Sequence, residues 1–364
     1  MTGMDFDLPT VKCYILGRLM SMKSVETSCV ENPSERVCVL FPGALGDFVC
    51  FLPALHELSK AHSVDLLARS DFAAIAPQAV RVQSLERLEV RRLFIDGGAR
   101  DEQVRRFFAG YAVVYSWFAS QERRFVEQLH EASRGRAQVF RFRPNNNDLH
   151  QSDYYLSCLG ASFADASLPW LALTAGARIW CEAFCRANGL GGEPLLVLAP
   201  GSGSREKNWP EESYLQVADA WREQVGGRVV LVVGPVEAER RGFDRLSAGC
   251  VPASALDLAQ LAALLARSDV YLGNDSGVSH LAAAVGARTV ALFGPSDERQ
   301  WAPRGPWVTI LRHQTACSPC GESAMQRCPQ RLCLLELSAA EVIQELRKLL
   351  EITNLTRLGV GITV

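Results

Sequence analysis

The sequence predicts an α/β protein made of two doubly wound halves, each a parallel sheet covered by helices. Three observations carry this. Short all-apolar runs alternate with amphipathic segments along most of the 364 residues, which is the pattern of βαβ units with buried strands. The alternation runs through twice, with a Gly- and Pro-containing stretch from Gly160 to Gly192 between the two series. The length suits two domains better than one, and with 48% apolar residues each half can bury its own core.

In the first half, Arg36–Phe41 reads as a buried strand, followed by a Gly-rich turn and a helix over Asp47–Ala61. Strands are expected at Val64–Ala68, Ala112–Trp117 and Ala137–Phe142, and helices at Gln103–Ala109, Gln121–Ser133 and Leu149–Leu159. A helix around Ala177–Ala187 closes the linker region. The second half opens with the apolar strand Leu195–Ala199, then helix Glu211–Val225 and strand Arg228–Val233. Helices at Val236–Ser247 and Leu258–Ala266, strand Val270–Leu272, helix Val278–Val285 and strand Arg288–Phe293 complete it. Ala339–Leu350 is a final amphipathic helix.

Composition narrows the function classes. The net charge is -2, which gives no support for bulk nucleic-acid binding. No apolar run reaches the length of a membrane-spanning helix. Val11–Met22 contains Lys12 and Arg18 and has no small-residue cleavage site. Residues 1–35 are therefore expected to be a disordered extension or the product of an early start codon rather than a signal peptide. The chain is expected in the cytoplasm. Between Arg87 and Arg143 stand twelve Arg, no Lys and seven acidic residues. This surplus is either a set of solvated helix faces or a surface for an anionic acceptor or headgroup, with peripheral contact at the inner membrane.

Three strand-to-helix junctions carry the chemistry. Pro42-Gly43-Ala44-Leu45-Gly46-Asp47 follows the first strand. Gly43 and Gly46 let the chain turn and let a ligand approach, and Asp47 is either a helix cap or a reactive carboxylate. With only two glycines three apart, the segment lacks the dinucleotide fingerprint. Pro200-Gly201-Ser202-Gly203-Ser204-Arg205-Glu206-Lys207 follows a second strand. Free backbone N–H groups, the hydroxyls of Ser202 and Ser204 and the charge of Lys207 suit a diphosphate, and the ending is not that of a Walker loop. Gly273-Asn274-Asp275-Ser276-Gly277-Val278-Ser279-His280 places Asp275, Ser276 and Gly277 at a helix N-terminus, where open sheets hold anions. His280, one turn further on, is either structural or directed at the ligand.

Together these segments resemble glycosyltransferase family 9, the lipopolysaccharide heptosyltransferases. GALGDFVCFLPAL, PGSGSREKNWPEESY and GNDSGVSHLAAAVGARTVALFGPSDERQWAP carry the resemblance, which runs from about Val37 to Leu350. It implies a GT-B fold: two Rossmann-like domains whose parallel sheets face an interdomain cleft. The implied extents are 36–176 for the acceptor-side domain and 177–338 for the nucleotide-sugar domain, with helix 339–352 packing back onto the first. It also implies inverting transfer without metal or other cofactor, from a nucleotide sugar such as ADP-heptose to a lipid-linked or glycan acceptor. By the same resemblance Asp47 is the general base and Lys207 holds the donor diphosphate. Ser202 and Ser204 lie near the phosphate contacts, Glu237 reaches the ribose, and Asp275, Ser276, Gly277 and His280 surround the donor sugar and phosphate. Two departures stand out: Phe41 replaces an Arg common just before the turn, and Ser276 replaces a commoner Thr. The same fold using another nucleotide sugar, or acting as a silent nucleotide- or glycan-binding module, is the alternative.

Of the twelve cysteines, eight sit in apolar or scattered positions, as Cys38 and Cys50 do. Cys317, Cys320, Cys328 and Cys333 form a C-x2-C-x7-C-x4-C cluster that admits structural zinc, a disulfide or packed free thiols.

Overall fold

The computed structural model describes residues 35–144, 148–162, 171–234 and 243–357. The N-terminal extension up to residue 34 and Glu237 lie outside the described residues.

Two parallel sheets organise the chain. The first contains β1 (Arg36–Leu40), β2 (Ser63–Ala68), β3 (Val80–Ser84), β4 (Val113–Ser116) and β5 (Ala137–Val139), in the order β3-β2-β1-β4-β5. The second contains β6 (Leu195–Ala199), β7 (Arg228–Val233), β8 (Val251–Ser254), β9 (Val270–Asn274), β10 (Thr289–Phe293) and β11 (Val308–Arg312), in the order β11-β10-β9-β6-β7-β8. Every pairing is parallel. In each sheet the strand order reverses once, between β1 and β4 and between β6 and β9. An open sheet leaves its ligand crevice at such a reversal, at the carboxyl ends of the strands.

The main helices are α1 (Leu45–Ala61), α2 (Glu102–Ala109), α3 (Arg123–Ala132), α4 (Gln151–Cys158), α5 (Ala175–Ala187), α6 (Glu211–Val225), α7 (Leu258–Arg267), α8 (Gly277–Ala284) and α9 (Ala339–Arg357). Local chemistry sets several ends. Asp101 caps α2 by accepting from the Gln103 and Val104 N–H groups. Asp257 and Gln260 form a reciprocal capping box on α7. Gly226, at φ 69°, ends α6 in the left-handed conformation. α1 is apolar over most of its surface because it is covered on both sides, by the first sheet and by α8 of the second half. That burial holds it helical through Pro53, a residue that costs about 3 kcal/mol in a helix interior.

The structure departs from expectation at the sheet edges and the C-terminus. β3, β8 and β11 are strands that the hydrophobic pattern did not reveal. β5 ends at Val139 instead of Phe142, because the chain there turns toward the cleft. Of the helix expected over 236–247, Asp244–Ser247 is seen, and residues 235–242 lie outside the described set. The last helix is a correction. α9 does not return to the first half: Val342, Leu346, Leu349 and Leu350 pack with Leu198, Trp209, Tyr214 and Leu272 of the second.

Candidate functional site

The loop after β1 turns on Gly43. A Cβ there would stand 2.5 Å from the Phe41 ring and 2.6 Å from the Asp47 Cβ, so no larger residue fits. Phe41 itself is fully buried and stacked on Phe51, with centroids 4.4 Å apart. It is a core residue whose ring also backs the cavity along the first sheet. Asp47 is not the helix cap; that position belongs to Ala44. The Asp47 carboxylate reaches back so that Oδ2 accepts the Ala44 N–H at 3.0 Å, and Oδ1 lies 2.6 Å from Arg143 Nη1. Its side chain keeps 12% exposure, enough to meet a ligand.

Across the cleft, the loop after β6 is braced from within. Ser202 Oγ lies 2.6 Å from both the Ser204 carbonyl and Asn208 Oδ1, and the Ser204 hydroxyl bonds Glu206. Both hydroxyls expected to serve a phosphate thus already serve the loop. Asn274 ties this loop to β9: its amide donates to the Pro200 carbonyl at 2.6 Å and its Oδ1 accepts the Trp209 N–H at 3.0 Å. Lys207 Nζ lies 2.7 Å from Asp275 Oδ2. Ser276 caps α8, accepting the Ser279 N–H, and the α8 N-terminus opens beside the Lys207–Asp275 pair. His280 is buried, with Nδ1 3.6 Å from Cys50 Sγ of α1. Burial lowers its pKa, against the opposing pull of Asp275 and Asp47.

The two halves meet at glycines. A Cβ on Gly277 would stand 2.8 Å from the Gly46 nitrogen. The N-termini of α1 and α8 therefore approach to backbone contact, and both helix dipoles point into one space. That space, about 240 Å³, is lined by Gly46, Asp47, Arg143, Ser204, Lys207, Asp275, Ser276, Gly277, His280 and Trp301. A mostly apolar chamber of about 360 Å³ shares Gly46, Ser276 and Gly277 with it and is walled further by Val232, Gly234, Ala253, Leu256 and Leu261. A third cavity, about 800 Å³, lies along the carboxyl edge of the first sheet between Arg69, Asp71, Glu86, Arg91 and Phe94. A carboxylate, a cation and unpaired helix N–H groups thus converge beside a slot suited to a flat apolar group. Sequence reasoning missed Arg143, Asn274 and Trp301. The first follows the end of a strand, the position where open sheets bind ligands.

Residues 178–328 match the model of glycosyltransferase family 9 (heptosyltransferase). The match covers 151 of the 364 residues, so the likeness to this family is carried by the second half of the chain. The matched span contains the β6 loop, the Asp275 motif and the cysteine cluster up to Cys328. Lipopolysaccharide heptosyltransferase 1 of Pseudomonas aeruginosa is 35% identical over 132 residues, 35% of this chain and 37% of that protein. The alignment thus spans about a third of the relative's length. Two solved structures extend the fold likeness over most of this chain. A glycosyl transferase family 9 protein from Veillonella parvula superposes with TM-score 0.70 at 21% identity, over 89% of this chain and 99% of that one. The E. coli ADP-heptose lps heptosyltransferase II does so with TM-score 0.66 at 20% identity, over 88% and 99%. The architecture is a GT-B arrangement of two parallel-sheet halves.

Of the three alternatives for the C-terminal cysteines, the structure shows free thiols. Cys317, Cys320, Cys328 and Cys333 are all free, and Cys333 is packed into the second core. Among the described residues no group of three or more His, Cys, Asp or Glu is arranged to hold a metal. Burial, followed by the neighbouring thiols, raises the pKa of Cys320 and Cys333, which favours the protonated form. Among the described residues no helix is long and apolar enough to cross a membrane.

Proposed function

We propose that this chain is an inverting, metal-independent glycosyltransferase that moves a heptose from ADP-heptose to a lipopolysaccharide core or related glycan acceptor. One observation carries the reading: Asp47 of the first half and the Lys207–Asp275 pair of the second line the same small chamber at the α8 N-terminus. The family match and the relative named for ADP-heptose support the donor.

The apolar chamber beside β7 and β8 takes the nucleoside, and the α8 N-terminus takes the diphosphate. The acceptor enters from the cavity along the first sheet. A sugar hydroxyl is a weak nucleophile, so Asp47 accepts its proton as the oxygen bonds to the anomeric carbon. The bond from that carbon to the diphosphate breaks on the opposite face, and its electron pair leaves with the nucleoside diphosphate. Lys207 and the N–H groups at Gly277 meet the charge that gathers there. Asp275, held by Lys207, is placed to accept from donor-sugar hydroxyls. Holding both substrates in one cleft supplies the orientation effect.

The acceptor surface is read more narrowly than the arginine count suggested. Arg87, Arg92, Arg100, Arg106, Arg123, Arg124 and Arg143 are all in ion pairs. Peripheral membrane contact is assigned to Arg91 and Arg105, with the exposed apolar residues Leu88, Phe94 and Ile95 beside the acceptor cavity.

The test is a panel of nucleotide sugars and nucleotides scored by thermal stabilisation and then by transfer. ADP and ADP-heptose should give the largest shifts, and ADP-heptose should yield glycosylated acceptor. Stabilisation by another nucleotide in preference to ADP, or ADP-heptose binding without transfer, would count against the reading.

A further inference from the structure

We propose that Arg143 is a positioning residue for Asp47, and that Trp301 of the opposite half holds Arg143 in place. The proposal rests on the transfer reading above, since Asp47 needs a fixed orientation only if it takes a proton from the acceptor.

Asp47 has two carboxylate oxygens, and they are held by different means. Oδ2 accepts the Ala44 N–H at 3.0 Å within the first turn of α1, a bond independent of the second half. Oδ1 depends on Arg143, 2.6 Å away. This second contact is an ion pair, which holds Oδ1 toward Arg143. Arg143 follows β5, and two aromatic rings border its guanidinium. The Phe142 centroid lies 4.3 Å from Arg143 Cζ, and the Trp301 centroid 4.4 Å. Phe142 belongs to the first half, where its ring lies 5.8 Å from Phe41. Trp301 comes from the second half, at the end of the short helix Glu298–Trp301 after β10. A planar, weakly hydrated guanidinium stacks on such rings, whereas an ammonium does not share that geometry.

The chain just past Trp301 is pinned to the first half. His150 accepts the Ser152 N–H on Nδ1, so its Nε2–H donates to the Ala302 carbonyl at 2.9 Å. Arg304 donates to both oxygens of Asp153 at 2.6 Å each. Trp301 is therefore presented to Arg143 by a seam between the halves. The orientation of the first half's carboxylate depends on a ring from the second half.

The test compares wild type with Arg143→Ala, Arg143→Lys, Trp301→Ala and Trp301→Phe, using ADP titration for binding and ADP-heptose turnover for kcat and KM. Circular dichroism checks that each variant is folded. Arg143→Ala should lower kcat about 100-fold, the usual effect of misplacing a reacting group by about 1 Å, and leave ADP affinity and donor KM within about threefold. Added methylguanidinium should restore about tenfold of that loss, and Arg143→Lys should recover less than the added guanidinium does. Trp301→Ala should reproduce part of the kcat loss, and Trp301→Phe, which keeps a ring, should not. A wild-type kcat in Arg143→Ala, a loss confined to donor KM, or no rescue by methylguanidinium overturns the proposal while leaving the transfer reading standing. Absence of transfer by the wild-type protein removes both.

Discussion

Gly277→Ala tests whether the close approach of the two helix N-termini sets the geometry of the cleft. The added Cβ would stand 2.8 Å from the Gly46 nitrogen, 2.9 Å from Leu45 Cβ and 3.1 Å from Leu45 Cγ. Comfortable separations are about 3.5–4.0 Å, so α8 and α1 must part by roughly 0.7–1.2 Å. Overpacking of this kind costs about 1–3 kcal/mol, and the gain from alanine over glycine in a helix returns about 0.5–1 kcal/mol at most. The net expectation is a destabilisation of about 1–2 kcal/mol in urea unfolding. The effect on turnover is larger, because Asp47 rides on α1 and the diphosphate site on α8; a shift near 1 Å costs about 100-fold in kcat. The N–H of residue 277 survives the substitution, so the loss is steric. Gly46→Ala is the control from the other side of the same contact. Its Cβ would meet the Gly277 Cα and His280 Cδ2 at 3.4 Å, close to ordinary contact, so it should stay near wild type in both measurements. Gly277→Ala with wild-type stability and turnover, or Gly46→Ala equally impaired, would refute the reasoning.

Asp47→Asn should leave ADP affinity nearly unchanged in calorimetry and reduce transfer about 10²–10⁴-fold, the range for a positioned general base; full turnover would remove the assignment. Lys207→Ala strips a charge-assisted partner from the buried Asp275 and should weaken ADP binding about tenfold or more, measured by titration. Burial lowers the pKa of His150 from 6.5 to about 4. The unfolded chain therefore binds the extra proton in this window, and folding stability should fall as pH drops from 6.5 toward 4, by up to about 1.4 kcal/mol per pH unit. His150→Gln should flatten that slope in pH-dependent unfolding. Arg91→Glu with Arg105→Glu should reduce sedimentation with vesicles containing anionic lipid, and equal binding would return those residues to the status of solvated surface.

The central strands were legible in the sequence because burial on both faces writes itself as a continuous apolar run, as in Leu195–Ala199. The edge strands were not. β3 reads Val-Arg-Val-Gln-Ser, β8 contains Pro252, and every residue of β11 is half-buried, so none shows such a run. The three junction loops were legible from their small residues at strand ends. What they would meet was not: Lys207 and Asp275 pair across 68 residues, and Arg143 and Trp301 across the two halves. Ser202 and Ser204 brace their loop, a role that reading side chains by type did not single out. A hydroxyl in a phosphate-like loop is equally suited to bracing that loop. The direction of α9 is likewise decided by a tertiary match, since an amphipathic stripe says that a face is buried but not against which sheet.

One apolar cluster runs without a break from Val39, Phe51 and Leu55 in the first half to Val197, Tyr271 and Leu281 in the second. The two sheets are therefore not separate folding units joined by a tether. A chain severed between β5 and α5 would leave each fragment with a greasy scar, and neither should persist alone in water. Denaturant should melt the intact protein in a single cooperative step, because losing either half strips the other of its wall.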